Sequence, residues 1–181
     1  SDAMDELSNF AIKHNIPVTQ TVMGYSTMKR DHSHFAGQIG GLGGRNTNYL
    51  AKQTDLAIAV GTKLADFTTG SWANFENENF KLVTINASRF DANKHLAQAI
   101  VGDARTSLKE LSVALGDWRA PEEWNKKSQV ELKSWNEHVD KESAPTNQKV
   151  PSYVQVVGAV YRNSDPSDIA VTAAGGLVGE V

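Results

Sequence analysis

The stretch between residues 81 and 105 limits the fold of this chain more than any other part of its sequence. Residues 82–86 form an apolar segment, a polar loop follows, and a second apolar segment at residues 99–101 leads into Gly102, Asp103 and a helical pattern. This order of apolar segments and helix starts is typical of βαβ units. We therefore predict a parallel sheet whose loops gather at the carboxyl ends of its strands, where α/β proteins bind ligands.

Similar apolar segments recur along the first two thirds of the chain. We predict strands near residues 16–22, 56–61, 82–86 and 99–102, and helices near residues 4–14, from a cap at Asn46 or Thr47 to about 53, and 106–115. The continuous apolar run at residues 55–61 is typical of a strand buried on both faces, whereas residues 23–44 are predicted to form a loop. The predicted fold class is α/β, with a Rossmann-like parallel sheet flanked by helices.

The composition changes after Trp118, which predicts a domain boundary. Residues 121–143 are charged with a thin apolar stripe, and Pro145 and Pro151 lie in a polar linker. An amphipathic helix is predicted from Tyr153, followed by a final strand at residues 168–173. We predict four parts: a cloning remnant at residues 1–3, a central domain at 4–119, a linker with a charged helix at 120–151, and the incomplete start of a second α/β domain at 152–181.

Composition excludes several classes of partner. The 181 residues carry a net charge of −3 with both signs interspersed, so we expect no nucleic acid and no anionic membrane as a partner. The absence of cysteine excludes disulfides and thiolate chemistry, and it fits a cytoplasmic location. No apolar run reaches the roughly 18 residues that a membrane span requires.

The densest glycine cluster lies at residues 37–44, directly before a predicted helix. Glycines at such a position can let backbone N–H groups approach a phosphate. The dinucleotide fingerprint would require glycine at position 46 if it began at Gly41, and Asn46 stands there. Tight packing of the loop against the sheet is the alternative that we favour.

Histidines and acids elsewhere have simpler interpretations. Asp31, His32 and His34 alternate as metal ligands could, but a metal site needs three or four ligands, so a solvated loop is favoured. Asp91 and His95 have the i,i+4 spacing of a local helix pair. Asp103 is predicted to cap the helix that follows it, and the interpretation of His14 is a histidine at the edge of the core.

Two segments have the composition of ligand contacts. Residues 63–72 follow the most apolar strand and mix polar with aromatic side chains, so they can border a substrate or cofactor, or they can pack as a surface loop. Residues 173–177, of sequence Ala-Ala-Gly-Gly-Leu, follow a predicted strand, and their small side chains permit close backbone approach by a ligand. The second segment is the stronger candidate for a phosphate contact.

Several segments together resemble the central domain of thiamine-diphosphate enzymes of the acetolactate synthase group. Within that group the trihydroxycyclohexanedione hydrolases of bacterial myo-inositol catabolism are more similar. The resemblance extends over residues 4–181. The segments that carry it are residues 15–18, 55–63, 66–72, 82–86, 90–95, 101–104, 151–160 and 173–177.

The resemblance implies a three-domain enzyme that binds thiamine diphosphate and Mg²⁺. It implies that the activating glutamate, the metal ligands and the catalytic residues lie outside this chain, as does a strand that normally precedes the first helix. Backbone at Ala174, Gly175 and Gly176 would approach the cofactor diphosphate. The residues that would border the active site from the central domain are Lys63, Asp66, Thr69 and Trp72. The flavin-binding pattern Arg-Phe-Asp-Asp-Arg of acetolactate synthases is replaced by residues 63–67 here, which does not favour FAD.

The implied reaction is the hydrolytic cleavage of a ring C–C bond in a small cyclic dione, with the cofactor as electron sink. The resemblance also implies a homo-oligomer. This chain alone is expected to be a structural domain without activity and without bound cofactor. Two alternatives to this hydrolase function remain open. One is an acetolactate synthase-like carboligase, and the other is a non-catalytic flavin- or nucleotide-binding module similar to the C-terminal domain of electron-transfer flavoproteins.

Overall fold

The computed structural model describes residues 3–165, 167–171 and 175. The chain divides into two compact units, one up to Leu132 and one from Lys133 onward, with the boundary inside a long helix. Short 3₁₀ turns at Val22–Gly24 and Lys94–Leu96 accompany the regular elements. These elements are α1 (Met4–His14), β1 (Val18–Gln20), β2 (Phe35–Gln38), α2 (Arg45–Gln53), β3 (Leu56–Val60), α3 (Asp66–Thr69), β4 (Lys81–Asn86), α4 (Arg89–Ala92), β5 (Gln98–Val101), α5 (Ala104–Leu115), α6 (Glu122–Glu142) and α7 (Tyr153–Asn163).

All strand pairs among the described residues are parallel. One sheet contains β1 and β2, and the other contains three strands in the order β3-β4-β5. In the larger sheet Ile58 is opposite Val83, and Ile85 is opposite Ile100. An α-helix lies in each connection from β2 onward, whereas the segment between β1 and β2 contains the 3₁₀ turn at Val22–Gly24; both kinds of crossover permit parallel pairing. The predicted α/β class, a parallel sheet flanked by helices, is confirmed, although its strands form two sheets here.

The prediction that residues 23–44 form one loop is wrong, because β2 lies within it. Its four residues include Gly37, which has a φ of 106° and lies beside an irregularity in the pairing with β1. Glycine weakens a strand signal in a sequence. Pairing with β1 and burial of Phe35 and Ala36 therefore define this strand, and neither is visible in a four-residue pattern.

The expectation that β3 is buried on both faces is also wrong. Leu56 is 46% exposed, and Ala59 is the one buried residue of the strand. Among the described residues β3 pairs with β4 on one side only, so its other edge has no strand beside it. The apolar composition of β3 is that of a central strand, but its position is that of an edge strand.

The core of the first unit consists of three apolar clusters. Phe10 of α1, Ile85 of β4 and Leu108 of α5 form the first cluster. The others are centred on Ala11, Met28 and Phe35, and on Ala59, Leu64 and Leu82. Because Leu7 packs against both of the first two clusters, α1 joins the β1-β2 sheet to the β3-β4-β5 sheet.

His14 lies inside the core rather than at its edge, as it is fully buried. Its Nδ1 donates to the Trp118 carbonyl oxygen over 2.7 Å, and its Nε2 is 2.9 Å from Ser112 Oγ. The imidazole thereby ties α1 to α5 and to the segment that follows α5. The predicted cap at Asp103 is confirmed, since its carboxylate accepts from the Thr106 N–H at 3.0 Å.

The second unit contains the end of α6 and the helix α7, which begins with a capping box formed by Ser152 and Gln155. Arg162 Nη1 donates to the Ser143 carbonyl oxygen at 2.7 Å, and Gly158 packs against the same residue. The predicted strand at residues 168–173 is not present at 168–171, and residues 172–173 lie outside the described part. Within the described ranges no helix is long and apolar enough to cross a membrane.

Candidate functional site

The carboxyl ends of β3, β4 and β5 form one continuous edge that Asn86 organises. The Asn86 amide donates to the Thr62 carbonyl oxygen at 3.1 Å, and the Asn86 carbonyl oxygen accepts from the Gly102 N–H at 3.1 Å. The Gly61 N–H donates to the carbonyl oxygen of Ile85 at 2.8 Å. Three loops from three strands are therefore fixed to one another, at the edge where parallel sheets bind ligands.

The loop after β3 carries the four residues predicted to border a substrate. Lys63 and Asp66 are exposed at this edge, and Trp72 is half-buried. Thr69 is fully buried, and its Oγ1 accepts from the Trp72 N–H at 3.2 Å. The loop thus presents two charged groups to solvent and keeps Thr69 inside, where it shapes the backbone that carries Trp72. The assignment of these four residues to an active site stays a prediction.

An aromatic contact joins the β3 loop to the turn before β5. The Trp72 ring lies 4.4 Å from the His95 ring and 5.7 Å from the Phe75 ring, measured between centroids. His95 has a left-handed φ of 62°, which takes it out of the helix that contains Asp91. The expected Asp91–His95 pair is therefore wrong.

Asp91 instead pairs with Lys94, whose Nζ is 2.7 Å from the carboxylate. The hydrogen bond from Lys94, assisted by the Ser88 hydroxyl, lowers the pKa of Asp91 below its usual value. Lys63 of the neighbouring loop adds a smaller effect in the same direction on this pKa. Asp91 is consequently ionised and matched by cations at this edge of the sheet.

The glycine cluster after β2 uses its backbone N–H groups internally. The Gly41 N–H donates to the Phe67 carbonyl oxygen at 2.7 Å, and the Gly43 N–H donates to the Gly40 carbonyl oxygen at 3.0 Å. The Gly44 N–H donates to the Gln38 carbonyl oxygen at 2.9 Å. With these donors occupied, the geometry favours the packing interpretation of this loop over a phosphate cradle.

Asn46 and Thr47 do not cap the next helix, because α2 begins at Arg45 with Gly44 as its N-cap. Their buried side chains instead donate to carbonyl groups of β2: Asn46 Nδ2 to Ala36 at 3.0 Å, and Thr47 Oγ1 to Gln38. Both residues therefore fix α2 to the β1-β2 sheet rather than to a ligand.

The loop at residues 31–34 is solvated at Asp31 and Ser33, as predicted, but not at His34. His34 is buried, its Nε2 donates to Asn15 Oδ1 at 3.2 Å, and Ser33 Oγ is 3.0 Å from its Nδ1. Burial, followed by the nearby His32 and Arg119, lowers the pKa of His34 below 6.5. Among the residues that the structure covers, no group of three His, Asp or Glu side chains is placed to hold a metal ion.

The predicted diphosphate contacts fall at the end of the chain. Ala174 and Gly176 lie outside the described residues. Gly175 has a φ of 151°, and an added Cβ would have no atom within 4 Å, so the backbone there is open to approach. The role of these three residues stays a prediction.

Comparison with known proteins assigns the family. Residues 1–111 match the family model of the central domain of thiamine pyrophosphate enzymes. The chain belongs to this family. Its α/β architecture with parallel strands, described above, agrees with that assignment.

Two similar curated proteins carry the name 3D-(3,5/4)-trihydroxycyclohexane-1,2-dione hydrolase. The protein of Clostridium perfringens (strain 13 / Type A) is 41% identical over 115 residues, which is 64% of this chain and 18% of that protein. The protein of Geobacillus thermodenitrificans is 33% identical over 202 aligned residues, which cover 100% of this chain and 31% of that protein. The chain therefore spans less than a third of the length of these relatives.

Thiamine diphosphate is the cofactor that the family implies, and the described residues do not form a site for it. A diphosphate with its metal ion needs oxygen ligands for the metal and unoccupied N–H donors. Among the described residues no group of three His, Asp or Glu side chains is placed to hold the metal ion, and the N–H groups of Gly40, Gly41, Gly43 and Gly44 already donate to protein oxygens. Gly175, the described residue of the predicted diphosphate segment, has no atom within 4 Å of an added Cβ, a property that it shares with Gly61 and Gly116.

Proposed function

We propose that this chain is the central part of a longer thiamine-diphosphate-dependent hydrolase, one that cleaves a ring C–C bond of trihydroxycyclohexane-1,2-dione. The observation that carries the proposal is the 33% identity to a protein of that name along 100% of this chain. The identity rises to 44% over 111 residues in a Clostridium botulinum relative of the same name. The small cyclic dione is the partner that this proposal assigns, and we also propose a homo-oligomer.

Lys63 and Asp66 are the groups of this chain that we propose to contact the substrate. They are exposed at the carboxyl edge of the sheet, whereas the neighbouring Thr69 is buried. The dione, by its name, carries three hydroxyl groups and two carbonyl groups. A lysine ammonium donates to carbonyl or hydroxyl oxygens and a carboxylate accepts from hydroxyl groups, so this pair is suited to orient a polyhydroxylated ring.

We propose that the longer protein places a strand between β1 and β3. Each of these strands is paired on one side only within the described residues, and α1 packs against the cores of both sheets. A right-handed crossover that runs from a parallel strand through α1 into β1 would bring the added strand beside β1. It would also cover the apolar edge of β3. The domain limits 4–119, 120–151 and 152–181 belong to the same proposal.

Substitution of Lys63 and Asp66 in the longer protein tests the proposed substrate contact. We expect Lys63→Met and Asp66→Asn each to raise the KM for the dione by about tenfold, which corresponds to roughly 1.4 kcal/mol for a lost hydrogen bond to a charged group. The matched control is Glu76→Gln, because Glu76 lies in the same connection but pairs with Lys52 at 2.7 Å. Unchanged KM values in both site variants would contradict the assignment.

A further inference from the structure

We propose that Asn48 and Asn74 are positioning residues that lock two loops into one rigid lip beside the proposed substrate site. The two loops are the glycine loop, residues 39–44, and the β3 loop, residues 61–75. The inference rests on the proposed function for the identity of the substrate. Its geometry, however, depends only on contacts within the first compact unit of this chain.

The side-chain amide of Asn48, in α2, forms two hydrogen bonds with the backbone of the glycine loop, one through its oxygen and one through its nitrogen. The Gly40 N–H donates to Asn48 Oδ1 at 2.9 Å, and Asn48 Nδ2 donates to the Gly40 carbonyl oxygen at 2.9 Å. These two bonds fix which end of the amide carries oxygen, because one partner is a donor and the other an acceptor. Asn48 Oδ1 is thereby directed to accept a second bond.

Asn74 of the β3 loop supplies that second bond, as its Nδ2 donates to Asn48 Oδ1 at 3.0 Å. Asn74 is 7% exposed, and its backbone N–H donates to the Thr69 carbonyl oxygen at 3.2 Å. Because Asn74 is buried and Asn48 is half-buried, breaking their bond would leave the Asn74 amide without this partner, which is costly. The two asparagines therefore link α2, the glycine loop and the β3 loop in one network.

A backbone contact between the same two loops reinforces the amide pair. The Gly41 N–H donates to the Phe67 carbonyl oxygen, and Gly40 lies so close to Phe67 that an added Cβ would overlap the same oxygen. Gly41 also packs against the Phe67 ring at 3.5 Å, measured from an added Cβ. The two loops are thus joined by both main-chain and side-chain contacts, which prevents them from moving independently.

Strained backbone recurs in the β3 loop and in the turn before β5 that stacks on it. Left-handed φ angles occur at several non-glycine residues of the β3 loop and of the turn stacked on it: Leu64, Ser71, Trp72, His95 and Leu96. Such residues persist where the surroundings over-determine them, and they cluster at functional sites. Since Trp72 sits between Thr69 and Asn74 in the network, loss of the amide pair would release the conformation that places Trp72 against His95.

The test in the longer enzyme compares Asn74→Ala with Asn77→Ala. Asn77 lies in the same connection and also donates to a main-chain carbonyl, that of Gln53 at 3.1 Å, but it does not touch the glycine loop. We expect Asn74→Ala to raise the KM for the dione by about tenfold or more with a smaller change in kcat, because the lip loses its preorganised position. The KM of Asn77→Ala should stay within about twofold of the wild-type value.

A second variant covers the case in which Asn74→Ala fails to fold. Asn48→Asp keeps an acceptor for both bonds to Oδ1, but it places a second acceptor where Nδ2 donated to the Gly40 carbonyl oxygen, so that contact becomes repulsive and we expect KM to rise. A KM that changes equally in the Asn74 and Asn77 variants, or that changes in none of the three, would overturn the proposal.

A measurement on the 181-residue chain separates this inference from the proposed function. With ¹⁹F-labelled tryptophan, the Trp72 resonance can be assigned by its loss in Trp72→Phe. We expect Asn74→Ala to shift or broaden this resonance and to leave those of Trp118, Trp124 and Trp135 in place, whereas Asn77→Ala changes none. An unaltered Trp72 resonance would overturn the lock. If the Trp72 resonance changes but the longer enzyme does not turn over the dione, the link between the two loops is supported and the proposed substrate is wrong.

Discussion

Crowding of the glycine loop against the β3 loop predicts a large difference between glycine substitutions. Gly40 combines a φ of 109° with an added Cβ that would overlap the Phe67 carbonyl oxygen. Gly61 has a φ of 66° and no atom within 4 Å of an added Cβ. Gly43 has no left-handed φ, but its Cβ would overlap the Gln38 carbonyl oxygen. Alanine at Gly40 therefore tests backbone strain and crowding together. Alanine at Gly61 tests strain alone, and alanine at Gly43 tests crowding alone.

The magnitudes follow from the two separate costs. A left-handed φ costs a non-glycine residue about 1–2 kcal/mol and forced repacking costs about 1–3 kcal/mol, while replacing glycine gains about 0.4–1 kcal/mol through the unfolded chain. We expect free energies of unfolding to fall by about 1 kcal/mol in Gly61→Ala and by about 0.5–2.5 kcal/mol in Gly43→Ala. For Gly40→Ala we expect about 1.5–4.5 kcal/mol.

Urea unfolding followed by circular dichroism measures these differences, provided that the m values of the variants agree. The order of destabilisation should place Gly40→Ala well beyond Gly61→Ala. If the losses in unfolding free energy of Gly40→Ala and Gly61→Ala lie within about 0.5 kcal/mol of each other, the close packing of the glycine loop against the β3 loop is absent.

Two further predictions concern pH and cofactor binding. Because burial holds the pKa of His34 below 6.5, the unfolded chain binds more protons near that pH, and stability should be lost as the pH falls from about 6.5 through the lowered pKa. His34→Gln should flatten this dependence, and an unchanged slope between pH 7.5 and 5 would contradict it. Calorimetry of the 181-residue chain with thiamine diphosphate and Mg²⁺ should show a Kd weaker than about 100 μM, since the described residues contain no metal-ligand group. A micromolar Kd, near −8 kcal/mol, would show that the chain holds more of the cofactor site than we infer.

The elements that sequence patterns predicted well are those fixed by local signals. β4 and β5 are short apolar runs with turns on both sides. α5 begins directly after its N-cap residue, Asp103, which the sequence marks as a capping residue. α7 has an amphipathic pattern along its own eleven residues, and its capping residues Ser152 and Gln155 are three positions apart. For such elements the information is contained in neighbouring residues, so one sequence is sufficient.

The elements that were missed depend on partners far along the chain. β2 is defined by its pairing with β1, and the exposed edge of β3 depends on which strands lie beside it. The stack of His95 on Trp72 requires left-handed residues in both segments, and the Asn48–Asn74 bond joins positions 26 residues apart. No local pattern marks an asparagine as a bridge, so the lip could not have been found without the structure.

Turnover of the dione by the longer protein is the decisive test of the proposed hydrolase activity. The assay supplies thiamine diphosphate and Mg²⁺ and follows consumption of trihydroxycyclohexane-1,2-dione in parallel with consumption of pyruvate, which is the substrate expected of an acetolactate synthase-like carboligase. We expect cofactor-dependent consumption of the dione and none of pyruvate. Consumption of pyruvate without hydrolysis of the dione would contradict it.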